Sequence, residues 1–254
     1  MKNVSKRHSL RARLQSDENN FHPVCCVPNL ATGKLCGRPT TRAVRLGLSP
    51  FLCRYHQQHR QRHGSTWCKT PKARTIEPYL RSALGYLEVR RNDYFVKSAL
   101  NSIILLLDNA GASEIATRLR DKPPRERARI ALARLRDRGV TPDKLLAIPV
   151  AIRGMLQEAD GHFARDPEYR QVTVAKAVHR LASGTHKSWE LHQRDGRVVR
   201  TEMHAYPRSS GQILRHLGEI IEAESELVMD KHLDGVIELK IARYGKLDSK
   251  SLAK

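Results

Sequence analysis

Five cysteines stand between Cys25 and Cys68, and none occurs after Cys68. Cys26 and Cys36 enclose nine residues; Cys53 and His56 enclose two. Two pairs of soft donors in this pattern suit a structural Zn2+ site, which takes four tetrahedral N and S ligands. A two-residue gap lets one turn of backbone supply two of them. Gly33 and Gly37 allow the chain to fold tightly around the Cys36 sulfur, and Pro39 stiffens the exit. The expected ligands are Cys26, Cys36, Cys53 and His56. Cys25 adjoins Cys26, and Cys26 is preferred because its spacing to Cys36 suits a single turn of backbone. His59 competes for the fourth position, and His59, His63 and Cys68 offer a second set whose simpler role is phosphate contact or solubility.

The stretch from Cys26 to Thr40, CVPNLATGKLCGRPT, with Cys53-Arg54-Tyr55-His56, His63-Gly64-Ser65-Thr66 and Lys69-Thr70-Pro71, resembles the short zinc knuckle of prophage and mobile-element proteins. The resemblance spans about residues 25–71. It implies a zinc knuckle in a phage or mobile-element context and assigns no reaction. Relative to that pattern the loop from Cys36 to Cys53 is longer, and Gln57-Gln58 replaces a Gly-Gly.

Elements of the chain must hold these ligands, and composition limits what they are. The chain has 254 residues, 46 Lys and Arg against 26 Asp and Glu, a formal charge of +20 and a mean hydropathy of -0.54. The longest apolar run, Ile103–Leu107, falls far short of the ~20 residues of a membrane span. Behind the basic start no apolar leader core follows, so the expected location is cytoplasmic. Clustered cysteines in a reducing compartment favour metal over disulfides.

Charge is distributed unevenly. Residues 1–75 carry 15 Lys and Arg against Asp17 and Glu18, a net +13, whereas the rest nets +7. Concentrated positive charge is the footprint of a polyanion, since neutralised phosphates release counterions. Arg38, Arg42, Arg45, Arg54, Arg60, Arg62, Lys69 and Lys72 are the expected phosphate contacts. Few aromatics interleave with them, which favours double-stranded DNA over single strands. No amphipathic apolar stripe accompanies them, so a membrane partner is not expected.

The fold expected is mainly α. Residues 1–20 read as a basic arm, 21–71 as the zinc-knuckle module, and 72–254 as a helical domain with a hairpin at about 187–206. Helical spacing runs from Pro78 through Leu87 and from Tyr94 to Leu107. Pro123-Pro124, Thr141-Pro142 and Asp166-Pro167 are helix starts. Asp195-Gly196 between extended segments marks the hairpin. Ser209 and Gln212 have capping-box spacing before an amphipathic helix over Ile213–Val228, and Val236–Ala242 suits a strand or a short helix. That helix, with Glu219, Glu222, Glu224 and Glu226 on it, is a candidate surface for self-association and a helical adaptor role.

Helix followed by basic hairpin is similar in outline to a winged helix, with Val172–Leu181 as recognition helix exposing Lys176, His179 and Arg180. Arg125, Arg129 and Arg136 form a candidate phosphate ridge on the helix after Pro124. Catalytic motifs are largely wanting. Gln212-Ile213-Leu214-Arg215-His216 is similar to the tyrosine-recombinase His-x-Leu-Arg-His box, with Tyr244 downstream, but Gln stands at the leading position. A metal nuclease using His56, His59 and His63 lacks a ββα-metal setting. Walker, Rossmann and nucleophile-elbow fingerprints do not occur.

Overall fold

The computed structural model describes residues 23–29, 32–45, 49–119, 121–159, 166–182, 185–193, 196–205 and 211–247. The expected arm at 1–20 and the Ser209 cap lie outside them. The chain divides into two compact units, Met1–Gln61 and Arg62–Lys254. The division falls before the 71/72 boundary expected from composition. Residues 62–71 belong to the second unit, where the Tyr169 hydroxyl donates to the Lys69 carbonyl at 2.8 Å.

The architecture is mainly helical with one antiparallel hairpin among the described residues. Helix α1 is Arg54–His63, α2 Ala73–Val89, α3 Tyr94–Asp108, α4 Pro124–Asp137, α5 Pro142–Glu158, α6 Pro167–His179 and α7 Gly211–Tyr244. Strands β1 (Thr185–His192) and β2 (Val198–Ala205) sit between α6 and α7. No described helix is long and apolar enough to cross a membrane.

Local chemistry sets the helix starts. Asp93 caps α3 by accepting from the backbone of Phe95 and Val96 at 2.9 and 3.3 Å. Thr141 and Asp166 cap α5 and α6, each followed by proline at the first turn. Helix α2 begins at Ala73 and takes Pro78 inside it, rather than starting there.

Helix α5 is the centre of the second unit. Leu145 to Ile152 is an unbroken apolar run, buried on every side, and the helix continues through Pro149. The longest element, α7, is 34 residues, about 50 Å at 1.5 Å per residue. Val236–Ala242 is its continuation, neither a strand nor a separate helix. Helix α7 packs on α2, α3, α4, α5 and α6. Its stripe of Ile213, Leu217, Ile221 and Val228 is buried in the chain's own core.

Polar clamps set the register of α7. Arg170 of α6 bonds the buried Glu222 at 2.6 Å, and His232 meets Asp93 at 3.0 Å. Lys240, 3 % exposed, donates to both oxygens of Glu158 at 2.9 and 2.7 Å. Glu222 therefore does not belong to an acidic outer face. At Gly218 a Cβ would stand 2.2 Å from the Gln171 carbonyl oxygen, so glycine permits α6 and α7 to touch backbone to backbone.

The hairpin pairs Trp189 with Thr201 and Leu191 with Val199 on one face, Glu190 with Arg200 on the other. Trp189, Leu191 and Val199 are exposed.

Candidate metal centre

Among its described residues the first unit has a small apolar core. Its buried apolar cluster is Cys25, Val27 and Cys53, with Cys36 and Leu52 partly buried against it. A module this poor in burial needs a staple.

Residues 24–29 and 32–39 form an irregular ribbon. Bridges join Val24 to Pro39 and Pro28 to Leu35, and Cys36 N–H donates to the Val27 carbonyl at 2.9 Å. Gly33 and Gly37 take left-handed backbone, at φ 67° and 66°. Thr41 carries the chain back, donating its backbone N–H to Leu52 O at 2.9 Å. The chain then turns into α1 with Cys53 immediately before the first helical residue, and His56 follows within the first turn.

Cys25, Cys36, Cys53 and His56 converge, with their ligand atoms all within 4.8 Å of one another. His56 Nδ1 lies 3.2 Å from Cys25 Sγ and 3.5 Å from Cys53 Sγ. A tetrahedral ion with metal–sulfur bonds near 2.3 Å and metal–nitrogen bonds near 2.0 Å sets S···N edges of about 3.5 Å. The four groups can bind one metal ion.

Cys25 takes the place expected for Cys26. In a ribbon, successive side chains face opposite ways. Here Pro28 pairs with Leu35 and Cys36 faces Val27, so Cys36 shares its face with Val27 and Cys25. Cys25 and Val27 are buried, whereas Cys26 is exposed, with its Sγ 3.4 Å from the Phe51 carbonyl oxygen. Spacing to Cys36 favours Cys26; the ribbon register selects Cys25.

Electrostatics prepare the ligands unequally. Burial pushes the Cys25 thiol above its ordinary value. Burial acts the same way on Cys53, but hydrogen bonds from the His56 and Tyr55 backbone and the neighbouring thiols bring it below its ordinary value. That is the expected effect of a helix N-terminus on a thiol. Burial, then the charges of His59 and Arg38, hold the His56 ring toward its neutral, ligand-competent form.

Of the other donors, His63 Nδ1 accepts from Thr70 N–H at 3.1 Å, and the Cys68 N–H donates to Ser65 Oγ at 3.2 Å. Among the described residues, His59, His63 and Cys68 form no converging metal group.

The expected phosphate contacts are exposed except Arg42, which is half-buried. Arg38 lies over the Tyr55 ring, 5.7 Å from its centroid. Arg45 has left-handed backbone, and Arg54 opens α1. Arg38, Arg42, Arg45, Arg54 and Arg60 belong to the first unit; Arg62, Lys69 and Lys72 belong to the second.

Two other expectations are corrected. Arg129 donates to the Ala110 carbonyl, and Arg136 donates to Leu107 O at 3.3 Å and Gly111 O at 2.9 Å. These guanidiniums tie down carbonyls of the last turn of α3 and of the turn that follows it, and do not form an outward ridge. Lys176 and His179 of α6 are half-buried instead of presented for groove reading; only Arg180 is exposed.

Arg215 pairs with Glu168 and sits 29 residues before Tyr244 on the same helix, about 43 Å away along its axis. The recombinase-like letters are thus a structural ion pair and a remote tyrosine.

No protein-family model matches the chain, and neither curated proteins nor solved structures gave a match.

Proposed function

We propose that the bound metal is zinc and that the chain is a DNA-binding accessory or regulatory protein. Its metal-held first unit presents arginines to duplex phosphates. One observation carries this reading: residues 1–75, the stretch of sequence that holds the four converging ligands, net +13, and Arg38, Arg45, Arg54 and Arg60 of the first unit are exposed. Three thiols with one imidazole are a donor set that suits zinc over harder ions. Arginine–phosphate contacts position a protein on DNA without reading sequence. A prophage or mobile-element setting rests on the resemblance of residues 25–71 to the zinc knuckles of such proteins.

The test is fluorescence anisotropy of the full chain on a random duplex as salt is raised. The expected log–log slope is about 0.9 per phosphate neutralised. A flat response, or binding no tighter than to a neutral polymer, refutes the reading.

A further inference from the structure

The second unit sets a half-buried lysine against neutral polar groups. Lys176, on α6, is half-buried, and its ammonium lies 3.2 Å from Thr70 Oγ1 and 3.3 Å from His63 Nδ1. His63 Nδ1 also accepts from Thr70 N–H, which fixes that nitrogen as an acceptor. Among the described residues, the charges acting on Lys176 are Arg180 and Arg62, both exposed and both repulsive. Burial, then these two charges, lower its pKa to about 8. A cation at the end of a helix is ordinarily explained by the carbonyl dipole. Lys176 instead turns its ammonium onto a hydroxyl and an imidazole, with Arg180 one helical turn further on and Arg62 next to His63 in the chain.

We propose that Lys176, Arg62, Arg180 and the Thr70 hydroxyl form a binding site for a phosphate group. The ammonium supplies the buried charge, and the two exposed guanidiniums close over the oxygens from the rim. Arginine suits such a role because its planar fork matches phosphate oxygens. A phosphate here neutralises three mutually repelling cations, so it stabilises the unit that holds it. The ligand is either a phosphodiester of nucleic acid or free phosphate, and the site is independent of the metal ligands.

The experiment is thermal unfolding of the full metal-loaded chain in inorganic phosphate against chloride of equal ionic strength. The helical transition of the unaltered protein should rise by several degrees in phosphate. Lys176→Met keeps the aliphatic stem and removes the repelled charge. It should melt no lower than the unaltered protein in chloride yet lose the phosphate shift. Arg180→Gln should weaken that shift several-fold. Equal phosphate shifts in the unaltered and Lys176→Met proteins, or no shift in either, overturn the site. Duplex affinity of the same variants separates the two sources. Loss of affinity in Lys176→Met assigns the site to the nucleic-acid backbone; unchanged affinity with a lost phosphate shift assigns it to free phosphate. Failure of all duplex binding, with the phosphate shift intact, refutes the proposed function and upholds the site.

Discussion

Cys25 Sγ and His56 Nδ1 lie 3.2 Å apart, although 31 residues separate them in the chain. That contact joins the ribbon of residues 24–29 and 32–39 to the start of α1 across a cluster that, among the described residues, is mostly sulfur. Holding those thiols together without a metal concentrates donors where little apolar burial offsets the cost.

The adjacent cysteines should therefore behave oppositely. Cys25→Ser should abolish stoichiometric metal and the far-ultraviolet signal of the first unit, while Cys26→Ser retains both. Metal content by atomic emission decides the matter; equal loss in the two variants would place the ligand wrongly. Chelation of the intact chain should likewise leave the transition of the α5-centred unit in place.

Ribbon register is what the sequence could not convey. Spacing to Cys36 favours Cys26, and it is the register of the Val24–Pro39 and Pro28–Leu35 bridges that puts Cys25 on the inner face. The starts of α3, α5 and α6 were more legible, because Asp93, Thr141 and Asp166 act through bonds to their immediate neighbours. Arg129, Arg136 and Lys176 looked like surface charge because their partners, Ala110, Leu107 and Thr70, are distant in the chain. The full length of α7 was obscured by Glu222, Lys240 and His232, polar residues that tertiary partners make acceptable on a buried face.

Arg136→Ala should cost about 1–3 kcal/mol of stability, since carbonyls at the end of α3 lose a charged donor. Duplex affinity should stay within twofold. Arg38→Ala should do the reverse, lowering affinity and the salt slope by about one phosphate without shifting the helical melt. Urea titration and anisotropy on both variants check the pair; coincident effects would contradict the division of labour.

His179 gives the second unit an acid sensitivity. Burial, then Arg134 and Arg127, depress its pKa from 6.5 to about 4. Between those values the unfolded chain binds a proton that the folded chain does not, so stability falls as pH drops from about 6.5 toward 4. The loss at the lower end is about 2–3 kcal/mol. His179→Gln should flatten this limb in urea melts taken at successive pH values.

Glu158 accepts from Lys240, from the Tyr79 hydroxyl at 2.5 Å and from the Leu247 backbone. Burial opposes its ionisation, but these donors outweigh burial and hold its pKa below 4.5. The stability it contributes is present above 4.5 and is lost as pH falls through the lower folded value. Glu158→Gln leaves Lys240 buried beside no charge and should cost about 3–5 kcal/mol at neutral pH. A calorimetric scan showing less than 1 kcal/mol would mean the pair contributes little.

Gly218→Ala should cost about 2–3 kcal/mol, because its Cβ meets the Gln171 backbone and α6 cannot withdraw without uncovering core. Denaturant titration measures the loss.

The position of α7 also dictates an order of events on the ribosome. It covers α2 through α6 yet is synthesised after all of them. Those five helices emerge with the seat of α7 still open, and the clamps at Asp93, Glu158 and Arg170 wait for partners that are made later. The four ligands from Cys25 to His56, by contrast, have all been made before α2 begins. The metal module can thus mature while the helical unit is still a nascent chain exposing apolar surface, the stage at which chaperone protection matters most.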